Sequence, residues 1–427
     1  MLTLISLHAR QILDSRGNPT VECDAQLSDG SKGRASVPSG ASTGMHEAVE
    51  RRDGGSRFSG KSVYGAVDTI SQTILPLLAT VDPFDQSTVD KTMIQADGTE
   101  NKSLFGANAI LAVSLAIAKA CAQSSGIPFY QYVSSLAGNS SKESLPMPMI
   151  NIINGGQHAN FATDIQEYMI VPIGAKTFDE ALEWSANVFH ALASLLKKDG
   201  HAVTVGDEGG YAPHLSGGNS APLEYIVRAI EECGYTPGVD VSIALDVAAS
   251  EFYSDGKYAL RTEKRELDAS AMTQYLTQLI ERFPIVSIED GLDENDWENW
   301  RLMAEGIGQK VLLVGDDLLV TNVARLHQAV EVKAANTILI KPNQIGSLSQ
   351  TIEAVKLAQQ HGWRTIMSHR SGETEDTTIA HLAVALGCDA IKSGSLSRSE
   401  RVAKYNEILR IAEADDSLAL RSWRGAQ

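Results

Sequence analysis

Residues 311–341 read VLLVGDDLLVTNVARLHQAVEVKAANTILIK. An apolar run, 311–316, ends on Asp316; an amphipathic stretch, 323–332, follows; a second apolar run, 337–341, ends on Lys341. Strand, helix, strand at this spacing predicts a parallel βα unit.

The same rhythm extends in both directions. Runs at 241–246, 285–289, 364–369 and 390–392 also end in groups capable of chemistry, and amphipathic stretches cover 271–282 and 349–361. From Asp246 to Glu289, Asp316 and Lys341 the strand ends are 43, 27 and 25 residues apart. So many consecutive units predict an α/β chain whose C-terminal part is a closed (β/α) barrel, with its chemistry at the C-terminal strand ends. Residues 1–138 read differently. Short β-like runs at 3–7, 20–27 and 32–37, with an Asp29-Gly30 turn, precede helical patterns at 62–78 and 105–123. That order predicts a smaller N-terminal α+β domain. The stretch 138–144 is a plausible linker, so the expected domains are 1–138 and 139–427.

Composition limits the partners. With 427 residues there is material for two sizeable cores. A formal net charge of -17 argues against nucleic acid and anionic membrane surfaces as default partners. Cys23, Cys121, Cys233 and Cys388 form no C-x-x-C pair, so neither a zinc site nor a disulfide framework is expected. The N-terminus lacks the basic region of a signal peptide, and the apolar stretch 107–122 is interrupted by Asn108, Ser114 and Lys119. A soluble, cytoplasmic protein is the expectation.

Asp246, Glu289 and Asp316 close three successive strands. Oxygen ligands converging at a barrel mouth suit Mg²⁺, whereas singly each acid could merely cap the following helix. Asp317 is the weaker ligand, because adjacent strand residues point to opposite faces. Lys341, His369-Arg370-Ser371 and Lys392 end the later strands and would draw a small, multiply anionic substrate, Arg370 having the fork for phosphate or carboxylate. Glu208 lies in the glycine-flanked loop GDEGG, 206–210. The small-residue loop PSGASTG, 38–44, reads as a lid.

Those strings, with NIINGG (151–156), VGDEGGYAP (205–213), SIEDGLDE (287–294), LVGDDL (313–318), NQIGS (343–347), SHRSGETED (368–376) and a C-terminal RSERVAKYN (398–406), span nearly the whole chain, which closely resembles enolase. The resemblance implies a modified (β/α)8, TIM-like barrel with an early antiparallel strand. It also implies a lyase with two Mg²⁺ ions that interconverts 2-phosphoglycerate with phosphoenolpyruvate and water. By motif, Asp246, Glu289 and Asp316 would hold the first Mg²⁺, and the second would arrive with substrate and bind Ser42. Lys341 would be the base and Glu208 the acid; Arg370 and Ser371 would bind phosphate and Lys392 the carboxylate. His158, Gln166, Glu167 and His369 would complete the pocket. Nearby Mg²⁺ and Lys392 would lower the Lys341 pKa so that it can act as base, and loop closure would raise that of Glu208. A Lys base beside Mg²⁺ is this superfamily's established pattern rather than a consequence of the spacing.

The resemblance further implies a homodimer or octamer and, by family analogy, an extracellular or cell-surface pool beside the cytoplasmic one. Departures from the pattern are Pro342 after the base, Gln157 beside His158, His381 in the next helix, and the tail 423–427. Two alternatives remain: an acid-sugar lyase or racemase of the same superfamily, and a binding-scaffold role alongside catalysis.

Overall fold

A computed structural model describes residues 2–40, 44–138, 143–159 and 161–423, with the side chains of Gln157 and His158 outside the description. Three antiparallel strands begin the chain: β1 (Leu4–Leu13), β2 (Pro19–Leu27) and β3 (Lys32–Ser36), ordered β1-β2-β3. The expected run 3–7 is longer in the structure because β1 carries on through His8, Arg10 and Gln11. Arg10 pairs there with Glu22 and Asp24 of β2, so a polar segment is held by cross-strand charge instead of burial. The pattern at 62–78 folds as Tyr64–Thr69, a π turn Ile70–Ile74 and Leu75–Leu78, with Pro76 in its last piece.

The helix Ala107–Ser125 lies on this sheet. It is long and apolar enough to cross a membrane by composition, but 83% of that window is buried inside the protein. Close approach depends on Gly33 of β3, where a Cβ would stand 2.1 Å from the Ala116 carbonyl oxygen.

Eight strands close the barrel. They are β4 (Met147–Asn154), β5 (Glu167–Val171), β6 (Ser242–Asp246), β10 (Ile285–Glu289), β11 (Leu312–Gly315), β12 (Thr337–Ile340), β13 (Arg364–Ser368) and β14 (Ala390–Lys392). Small strands β7 (Tyr253–Ser254), β8 (Lys257–Leu260) and β9 (Arg265–Leu267) form a separate sheet between β6 and β10. β5 runs antiparallel to both neighbours and the other six pairings are parallel, so the implied antiparallel strand is present. Inside, Met147, Met149, Met169, Leu312, Leu339 and Ile366 pack a separate apolar floor. From below, the tail joins it: Arg421 N–H donates to the Leu145 carbonyl at 2.8 Å, and Trp423 packs on the floor. Apolar residues fill the floor, so polar side chains can converge only at the mouth.

Candidate active site

β5 enters the barrel at the end where its parallel neighbours finish. Glu167, its first residue, therefore stands in register with Asp246, which stands in register with Glu289. Three carboxylates sit side by side on three strands. From β14 across the mouth, the Lys392 ammonium reaches all of them: Asp246 Oδ2 and both Glu289 oxygens at 2.9 Å, and Glu167 Oε1 at 3.2 Å. Burial pulls the Lys392 pKa down, but Asp246, Glu167 and Glu289 raise it well above the ordinary lysine value.

A second group of acids lies alongside. Carboxylate oxygens of Asp290, Asp316 and Asp317 fall within 4.8 Å of one another. The weaker rank expected for Asp317 is not what its position shows. β11 ends at Gly315, so Asp316 and Asp317 occupy a turn and strand alternation no longer separates them. Asp290, in left-handed backbone at φ 44°, accepts the N–H groups of Asp316 at 3.0 Å and Asp317 at 2.9 Å. Asp246 and Glu289 gather instead on Lys392, while Asp316 is held by Lys341 and by the Gln344 amide at 2.9 Å. The expected trio thus shares one mouth, but ammonium groups divide it.

Burial and like charge raise Glu167, Glu289, Asp290 and Asp317 well above the usual carboxylate range; the strongest repelling neighbours are Glu208, Asp246, Asp317 and Asp316 respectively. Asp316 differs, because Lys341 outweighs its burial and lowers it. The same pair acts on the lysine. Burial pulls Lys341 down, yet Asp316 leaves its pKa above the ordinary value. Acids crowd together with too few cations, and Glu167 Oε2 and Gln166 Oε1 are buried with no hydrogen-bond partner among the described residues. Such a donor set fits a hard divalent cation.

The remaining groups arrive on loops. Glu208 sits in the 206–210 turn, where Gly209 has φ +87° and a Cβ there would meet the Ser397 carbonyl at 2.5 Å. Its carboxylate accepts from Asn151 at 3.0 Å and lies 3.7 Å from His369 Nε2. Burial drops the His369 pKa well below its usual value. Arg370 forks onto Glu47 at 2.7 and 3.1 Å, a carboxylate standing where an anionic substrate group would bind. Gln166, Ser371 and Ser368 line the same cavity, whose interior holds about 30 Å³. Ser42 and the His158 side chain lie outside the described residues, as does the middle of the 38–44 loop.

Pro342 is accommodated without cost. It opens the short helix Pro342–Ile345, where no N–H is needed, and Lys341 before it is extended at φ -122°, ψ 103°. His381 pairs with Glu407 at 3.2 Å, away from the mouth.

Sequence reading passed over Glu47, Asn151, Asp290, Gln344 and Arg401. Fully buried Arg401 donates to the carbonyls of Arg370 (2.5 Å), Ser371 (2.6 Å) and Asp207 (3.2 Å), and meets His369 Nδ1 at 2.6 Å. It ties the 206–210 turn that carries Glu208 to the strand end that carries Arg370. All but Glu47 fall inside the strings quoted above, which is the signal that could have found them.

The family described as enolase, N-terminal domain, matches residues 4–133, and that described as enolase, C-terminal TIM barrel domain, matches residues 142–424. With a closed eight-stranded barrel, its antiparallel second strand and a mouth of carboxylates already in view, the chain belongs to the enolase family and, with it, to the lyase-type enzymes of the enolase superfamily.

Proposed function

We propose that the chain catalyses the reversible dehydration of 2-phosphoglycerate to phosphoenolpyruvate and water. One observation carries the reading: a base, an acid and anion-binding cations, namely Lys341, Glu208, Arg370 and Lys392, line one acid-rich cavity. Mg²⁺ would be held by Asp246, Glu289 and Asp316, with Asp290 and Asp317 adjoining. When bound, it supplies positive charge that makes loss of a proton beside a carboxylate tolerable.

Lys341 Nζ takes the C2 proton. The electron pair of that C–H bond first spreads over C2 and the adjoining carboxylate; it then becomes the C2–C3 double bond as the C3–O bond breaks and Glu208 gives its proton to the departing hydroxyl, which leaves as water. Arg370 and Ser371 hold the phosphate and Lys392 the carboxylate, while Gln166, Glu167 and His369 line the remainder; by family likeness His158 would join them and Ser42 would bind a second Mg²⁺ arriving with the substrate. For this, Lys341 must leave Asp316, Arg370 must exchange Glu47 for phosphate, and Lys392 must loosen from its acids. Asp316, Asp246 and Glu289 would release both lysines if they turned to hold Mg²⁺.

Absorbance of the enol product tests the reading. Turnover of 2-phosphoglycerate should require Mg²⁺ and stop with excess chelator. Glu208→Gln should keep exchange of the C2 hydrogen with solvent and block dehydration. Preferred turnover of a non-phosphorylated hydroxy acid would assign the chain to the acid-sugar branch instead. The same reading carries a cytoplasmic homo-oligomer, dimer or octamer, which sedimentation would resolve.

A further inference from the structure

Gln344 belongs to two places. Its amide donates to Asp316 at the barrel mouth, and it also lines a second cleft of about 460 Å³ between the N-terminal domain and the barrel. Lys102 and Arg325 face this cleft, beside His46 and Asn322.

Lys102 is only 4% exposed and held in left-handed backbone at φ 59°. Among the described residues its ammonium has neither a hydrogen-bond nor an ion-pair partner. Nearby acids are already engaged. Asp97 accepts from the N–H groups of Phe105 at 2.6 Å and Thr99 at 3.1 Å, and Asp90 from Ser349 N–H at 2.8 Å and Gln86 at 3.0 Å. Of the two acids that line the cleft, Glu47 is held by Arg370 and Glu100 sits exposed at the rim. Asp97 and Asp90 attract it without closing an ion pair, so burial still lowers the Lys102 pKa, and a position that keeps such an ammonium has a reason to do so.

Arg325 repeats the pattern. Its hydrogen bonds go to neutral oxygens, the carbonyls of Leu318 at 2.7 Å and Glu294 at 3.0 Å, its guanidinium lies 5.1 Å over the Trp297 ring, and the Glu294 carboxylate attracts it without closing an ion pair. It also stands in the first turn of the helix Val323–Val332, whose positive end opens on the cleft with Asn322 as cap. In a chain of net charge -17, two cations with no ion pair among the described residues and a helix N-terminus line one space.

We propose that this cleft is a second anion site, separate from the barrel mouth, that takes a small phosphate-bearing anion between Lys102 and Arg325. The claim does not depend on the reaction assigned to the mouth.

Two measurements test it. Crystals of the full chain soaked in tungstate should show an anomalous peak between Lys102 and Arg325; peaks confined to Arg370 and Ser371 would overturn the proposal. In solution, titration calorimetry with pyrophosphate is run on the chain carrying Arg370→Ala, which removes the fork at the mouth. Binding should persist there and weaken about tenfold or more on adding Lys102→Met, the loss of one charge-assisted contact. Equal affinity with and without Lys102, or no binding once Arg370 is gone, would refute the site. Lys102→Met alone should leave turnover unchanged, and the crystal result needs no variant to fold.

Discussion

Two sets of buried acids stand in this molecule, and their surroundings are opposite. Asp376, where the N-terminal domain meets the barrel, accepts from Lys119 at 2.8 Å, from the N–H groups of Ser36 at 3.0 Å and Thr378 at 2.7 Å, and from the Thr378 hydroxyl. Burial pushes its pKa up, but Lys119 and these donors bring it down to about 2. At the barrel mouth, Glu289 shares the single Lys392 ammonium with Asp246 and Glu167, Asp290 accepts only two backbone N–H groups, and these two acids and Asp317 are raised by burial and by their acidic neighbours. Burial is common to both; the supply of donors differs. Where donors suffice, a carboxylate fastens two domains. Where acids outnumber cations, the fold holds charge that only a ligand can balance.

The sharpest way to break that contrast is at Lys341. If the mouth is built for chemistry, Lys341→Ala should lower turnover of 2-phosphoglycerate by about a hundred- to ten-thousand-fold, the usual worth of a positioned base. It should also abolish solvent exchange of the C2 hydrogen while leaving the thermal transition nearly in place. Wild-type exchange in this variant would remove Lys341 as the base.

Asp376→Asn should do the reverse. A pKa of about 2 against an ordinary 3.8 makes the ionised form worth about 2 kcal/mol to the fold. The shift is downward, so this stability is fully present above pH 3.8 and is lost as pH falls through about 2. Denaturant melts at neutral pH should show the deficit, and turnover of the folded variant should barely change. A variant as stable as the parent at pH 7 would deny Asp376 its fastening role.

How much of this was legible beforehand follows from what each strand exposes. β10 and β12 announce themselves because an apolar run stops at a charged residue, and both were read to within a residue of their observed bounds. β4 gave no such sign: all eight of its residues are buried, so neither alternation nor a charged end marks it. β5 was implied only by family likeness. Among site residues, single acids at strand ends were visible, but the reach of Lys392 across the mouth was not, since it depends on barrel closure rather than spacing. Asp317 shows the other limit: alternation was applied two residues beyond the strand, where it has no force.

Asp317→Asn gives the smallest effect and the finest test, because its sign should oppose that of Asp376→Asn. Asp317 is raised by burial and by Asp316, so in the metal-free protein its ionised form costs stability. A folded-state pKa above the unfolded value means that this cost is absent at low pH and grows as pH rises past about 4. An amide keeps the shape and removes the charge. The metal-free variant should therefore be more stable than the parent by about 1 kcal/mol at pH 7, with the gain vanishing in acid. Saturating Mg²⁺ should shrink or reverse the difference, because the cation meets one carboxylate fewer. A loss of stability at neutral pH without metal would mean that Asp317 is satisfied in the fold, and the mouth would then resemble the domain junction it is set against.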